Sequence, residues 1–162
     1  MDVLRKIMVA IDFSDYSLPT LRYGLALAQD THAAVTVVSV INERDVAAIR
    51  SVQAYTDRLS VEGYIQNQKD ERSRKVDELV RQTGCAGVTV EKVFRVGVPA
   101  AEILEAVKEA GADLVVVGTK GRTNLAGHLF GSVAEKVFRR SPVPVLSVRG
   151  EEHAEMVCKL ED

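Results

Sequence analysis

Gly118, Gly121, Gly131 and Ser132 stand in one register: two residues separate the first two glycines, nine separate the next pair, and the serine follows at once. The apolar run Leu114 to Val117 precedes them, and Ser132 to Arg140 reads as a helix. A strand, a glycine-punctuated loop and a helix N-terminus thus follow one another. Glycine has no Cβ, so backbone N–H groups can approach an anion closely and φ can turn positive. A helix start adds unpaired N–H donors and the positive end of its dipole. These residue types, so spaced, form a cradle for phosphate. A plainer reading fits them too: a strand-end turn at Gly118, another turn at Gly121 and a helix start with Ser132 as N-cap. Two other phosphate signatures are missing, since the chain has no GxxxxGK[ST] and no GxGxxG after its first strand.

Other side chains near the cradle carry chemistry of their own. Arg122, beside Gly121, can give phosphate a charge-assisted hydrogen bond, and Lys120 can do the same, although either also suits a solvated surface. Asp12 closes the first apolar run and taken alone reads as a helix cap or a strand-end charge. Ser14 follows that strand closely enough to reach the same region. His128 is the only histidine in the loop and has no recognisable partner for base catalysis, while Asn124 can brace the loop. Efficient phosphoryl transfer calls for metal-holding carboxylates and a positioned base. Asp12 is the only obvious acid, so no catalytic residue and no protein metal site is assigned.

The elements that must position these residues alternate. Lys6 to Ile11 is a continuous apolar run, as expected for a buried parallel strand. Ser14, Asp15 and Ser17 offer N-caps for a helix that shows Leu18, Leu21, Leu25 and Ala28 to the core and runs to about Thr31. Ala34 to Ile41 is the second strand. Asn42 to Asp57 lacks a clear period and is expected as a loop or partial helix. Arg58 to Gln82 is helical, with a solvated face at Gln66 to Lys75 and core contacts only at Val61, Ile65, Val76, Leu79 and Val80. Val88 to Val96 is a less buried third strand. Pro99 opens a helix that Gly111 caps, Leu114 to Val117 is the fourth strand, and Val133, Val137 and Phe138 give the last helix a core stripe. Val143 to Val148 is the fifth strand, placed at an edge because Pro144 lacks a ladder donor. Alternation of this kind predicts an α/β doubly wound fold, a parallel sheet with helices on both faces.

At 162 residues, with 46% hydrophobic and 27% charged side chains, the chain fits one globular domain. A net charge of −2 gives no global field toward nucleic acid or an anionic membrane, so anion binding must be local. The start carries no signal peptide and no run reaches the length of a membrane span. Cys85 and Cys158 are isolated, with neither CxxC nor zinc spacing, which suits a reducing compartment. The expectation is a cytoplasmic protein.

The spacing G-2x-G-9x-G-S/T resembles the universal stress protein family, in its nucleotide-binding branch. The text VVVGTKGRTNLAGHLFGSVAEKVFRRSPVPVLSV resembles that family almost throughout, as do KIMVAIDFSDYSLPTLRYGLALA and VGVPAAEIL, and the likeness covers essentially residues 5–149. It implies a five-stranded sheet of order 3-2-1-4-5, a domain over 1–149 and an acidic tail over 150–162. It implies an ATP site, or one for AMP or ADP. Asp12 would lie near the ribose, the backbone of Val40 at the adenine edge, and Gly118, Gly121, Gly131, Ser132 and Val133 at the phosphates. Ser14 and Arg122 would lie near the phosphates too, with magnesium or manganese accompanying them. It further implies a homodimer through the edge strand Val143 to Val148. The function expected is a stress or energy-state regulator that binds ATP rather than turning it over efficiently. Two alternatives stand beside it: a slow ATPase or autophosphorylating enzyme, and an interaction module without nucleotide.

Overall fold

The computed structural model describes residues 4–122 and 130–150. Asn124 and His128, and the tail 151–162 with Cys158, lie outside the described residues. The continuous apolar runs form the centre of the sheet. β1 (Lys6–Ala10) lies between β2 (Ala34–Asn42) and β4 (Leu114–Gly118), flanked by β3 (Val90–Gly97) and β5 (Val145–Val148) at the edges. All pairs are parallel and the order is β3-β2-β1-β4-β5. Ile7, Met8 and Val9 are fully buried because helices cover both faces.

Alternate residues of each strand serve opposite cores. Ile7, Val9, Val35, Val37 and Val116 meet α1 (Ser17–Thr31) and α3 (Val61–Thr83) through Leu21, Leu25 and Val76. Met8, Val38, Val115 and Val117 meet α4 (Pro99–Ala110) and α5 (Ser132–Arg140) through Ile103, Val107 and Val137. Removing one such side chain, as in Leu25→Ala, would cost about 2–5 kcal/mol. Where the strands begin, the Asp113 carboxylate accepts the N–H groups of Arg5 and Lys6, each at 2.9 Å, and so ties β1 to β4.

Several expectations are corrected. Of the loop or partial helix expected over Asn42 to Asp57, the helix is what forms: α2 (Glu43–Gln53) is capped by Asn42, whose Oδ1 accepts the Arg44 N–H at 3.0 Å. Glu43 and Asp45 in the first turn suit its dipole. The Gln66–Lys75 face is not wholly solvated, since Arg72 is 7% exposed and donates to Ser39 Oγ at 2.7 Å. The core stripe of α5 is Ala134 and Val137, while Val133 is 37% and Phe138 60% exposed. Phe138 stacks instead on Phe130. The cap position of α1 is Tyr16, with no side-chain bond of its own. Pro144 precedes β5 rather than lying in it, and its carbonyl accepts from Val115 at 3.1 Å.

Candidate functional site

Beyond Ala10 the chain turns sharply, with Phe13 in the left-handed region at φ 63°. A side chain with a Cβ is strained there. Asp12 is bonded on both carboxylate oxygens. Its Oδ1 accepts the Ser14 N–H at 3.0 Å and, more weakly, the Ser17 hydroxyl at 3.4 Å. Its Oδ2 accepts the Arg122 N–H at 2.9 Å. Ala10 lies beside Val117, so Asp12 bridges the ends of two neighbouring strands.

The loop after β4 is pinned at its neck. Thr119 donates its N–H to the Val148 carbonyl at 2.9 Å, and Gly131 donates to the Thr119 carbonyl at 2.7 Å. Both ends of the loop therefore meet where the sheet stops. Gly121 lies so close to Asp12 that a Cβ there would overlap Oδ2. Gly131 is different: a Cβ would come only to 3.5 Å from Lys120 Cα, ordinary contact. Protein packing does not demand glycine at that point, which leaves room for close approach from the cleft. Neither these two glycines nor Gly118 takes a positive φ, so conformational freedom is not what the loop uses. Gly131 is the N-cap of α5 and makes no side-chain capping bond, and a helix start leaves its first N–H groups without intrahelical partners.

These elements enclose a cleft of about 440 Å³ at the carboxyl ends of the strands. That position, between strands whose connections leave in opposite directions, is where open α/β sheets receive ligands. Asp12, Val40, Gly118, Gly121, Arg122, Gly131, Ser132 and Val133 all line it, and so does Lys120. Ser14 does not. It sits in the turn below, where its N–H supports Asp12 and its Oγ accepts the Tyr16 N–H at 3.4 Å.

Sequence reasoning missed part of the wall. Tyr16 and Thr20 of the α1 region line the cleft, as do Asn42, Arg44 and Asp45 of the β2–α2 junction and Pro99 of α4. The signal for Arg44 and Asp45 was Asn42, an N-cap type just past an apolar run. Arg44, Lys120 and Arg122 outnumber Asp12 and Asp45 among the charged lining residues. A cleft with an excess of cations in a chain of net charge −2 concentrates positive potential locally.

The sequence profile of the Universal stress protein family matches residues 4–149. The chain belongs to that family. Universal stress protein YxiE of Bacillus subtilis is 33% identical over 152 residues, spanning 91% of this chain and 100% of its own. The solved structure of MJ0577, a universal stress protein of Methanocaldococcus jannaschii, superposes with a TM-score of 0.76 at 28% identity, covering 91% of this chain and 96% of that one. A universal stress protein crystallised in complex with cAMP matches at a TM-score of 0.61 and 26% identity, covering 91% and 98%. The family fold therefore extends across the whole described region. No helix among the described residues is long and apolar enough to cross a membrane.

Proposed function

We propose that this universal stress protein binds an adenine nucleotide, ATP first among the candidates, and acts as a nucleotide-dependent regulator of a stress or energy state. One observation carries the reading: a single cleft is lined by Asp12, by Gly118 and Gly121, and by the uncapped start of α5 at Gly131 and Ser132. The α5 amides and the Ser132 hydroxyl suit phosphate oxygens, with Arg122 and Lys120 adding charge. The Asp12 carboxylate suits ribose hydroxyls and the Val40 backbone the adenine edge. The cAMP complex of a relative supports the adenine assignment.

The site is built for binding rather than turnover. Asp12 is already occupied by two N–H groups and a hydroxyl, which makes it a poor base. Among the described residues no cluster of three His, Cys, Asp or Glu side chains is arranged to hold a metal. Magnesium or manganese would arrive with the phosphates and remain on their oxygens. Calorimetric titration with ATP, ADP, AMP and GTP tests the reading. Saturable binding of adenine nucleotides is expected; no heat with any nucleotide at millimolar concentration would leave the interaction module as the better account.

We also propose a homodimer through Val143 to Val148. β5 is an edge of the sheet and carries apolar residues, a combination natural proteins seldom leave uncovered.

A further inference from the structure

Arg72 is out of keeping with its surroundings. It belongs to the charged stretch of α3, yet it is buried, with its Nη1 donating to Ser39 Oγ at 2.7 Å. Its guanidinium carbon lies 5.5 Å from the centroid of the Phe13 ring, and Lys75 Nζ lies 5.7 Å from the same ring. The Arg72 Nε is buried with no hydrogen-bond partner among the described residues. None of the ion pairs among the described residues includes Arg72. An arginine stays protonated in a protein. Among the described residues this enclosed cation meets one hydroxyl and an aromatic face and joins no ion pair, an arrangement unfavourable by itself.

Its location supplies the reason. Phe13 follows Asp12 and Ser39 precedes Val40, so both groups touching Arg72 adjoin residues of the cleft wall. Burial draws the Arg72 pKa below its ordinary value and the charge of Arg122 draws it down further, while Tyr64, Asp45 and Glu71 push it back. Arg122 and Asp45 both line the cleft. Arg72 does not itself line the cleft, so its charge would reach a bound anion only through the intervening protein, which screens a field far less than water does. The Phe13 ring that Arg72 faces belongs to the left-handed turn directly after Asp12, whose carboxylate lies beside Gly121.

We propose that Arg72 is a positioning residue of the anion site: a buried cation, seated against Phe13, whose missing counter-charge is the phosphate of the bound ligand. The claim rests on the reading of the cleft as an anion site. It gives the α3 charge run a role, and it predicts that Arg72 matters more as the ligand carries more charge.

Affinities for adenosine, AMP, ATP and inorganic tripolyphosphate, measured by calorimetry on wild type, Arg72→Met and Arg72→Lys, test it alongside urea unfolding. Arg72→Met should unfold no earlier than wild type, because an isolated buried charge has been replaced by an apolar chain. It should weaken ATP and tripolyphosphate by about tenfold and adenosine by less than about twofold, with Arg72→Lys restoring most of the difference. Equal weakening of adenosine and ATP would reduce Arg72 to a packing role and overturn the proposal. If Arg72→Met does not fold, Arg72→Lys decides: an ATP-to-adenosine preference within about threefold of wild type supports the claim, and a tenfold fall refutes it. Wild type that takes tripolyphosphate but no nucleotide would end the nucleotide reading while the tripolyphosphate comparison still judges Arg72. Wild type that takes neither ends both.

Discussion

The Oδ2 of Asp12 accepts the backbone N–H of Arg122 at 2.9 Å, joining positions 110 residues apart in the chain. This bond makes one site of two segments, the end of β1 and the loop after β4. Asp12→Ala should therefore act on both fold and ligand. Losing these acceptors should lower stability by about 1–3 kcal/mol in urea unfolding. Nucleotide affinity should fall about tenfold or more, as for loss of a charged hydrogen-bond partner. Rapid single-turnover hydrolysis that vanished in this variant while binding survived would instead mark Asp12 as a catalytic group, and the binding-only reading would be wrong.

Gly121 and Gly131 should respond differently to the same change. Gly121→Ala places a methyl against Asp12 Oδ2 and should disturb the site before any ligand arrives. Gly131→Ala meets only ordinary contact, so its melting temperature should stay close to wild type while nucleotide affinity drops. Thermal unfolding paired with calorimetry separates the two. A Gly131→Val protein that binds normally would dispose of the cradle.

Asp113 gives a pH signature far from the cleft. The N–H groups of Arg5 and Lys6 hold its carboxyl below the ordinary value of 3.8. Its folded pKa is depressed, so its contribution is complete above the unfolded pKa and is lost as pH falls through the folded one. Asp113→Ala should be less stable than wild type at neutral pH, and the two melting temperatures should converge as pH drops below 3.8. Parallel curves across that range would show that the carboxylate does not tie β1 to β4 as described.

The dimer has its own test. Carbonyls of Pro144 and Val148 point toward the interior strands, so Val145 and Ser147 present their backbone groups to the open side of β5. Ser147→Pro removes an outward donor and spares the ladder to β4. Sedimentation should show dimer for wild type and monomer for the variant, with circular dichroism unchanged. A wild-type monomer at micromolar concentration would remove the dimer from the proposal.

What the sequence disclosed depended on whether a function leaves a mark on residue type. Gly118 and Gly121 are legible because Tyr16 and Asp12 come too close for a side chain, and the buried strands because continuous valine and isoleucine suit little else. The order of the strands had no such mark and came only through family resemblance, which the sheet bears out. α2 was legible only as a loop or partial helix, because a helix that buries only Val46 shows almost no apolar period, although Asn42 signalled its start. Arg44 and Asp45 look like any solvated pair until the sheet brings them to the cleft. Arg72 was lost in QNQKDERSRK, since nothing in a run of charges tells which one the fold will enclose.

Because every strand runs the same way, the polypeptide leaves the sheet on the side of the cleft. Gly150 lies against the Tyr16 ring, 3.4 Å from a Cβ it does not have, and Tyr16 belongs to the cleft wall. A fluorescent reporter joined directly after Gly150 would thus begin beside the cavity, whereas one joined directly ahead of Lys6 would begin at the opposite rim, remote from whatever enters.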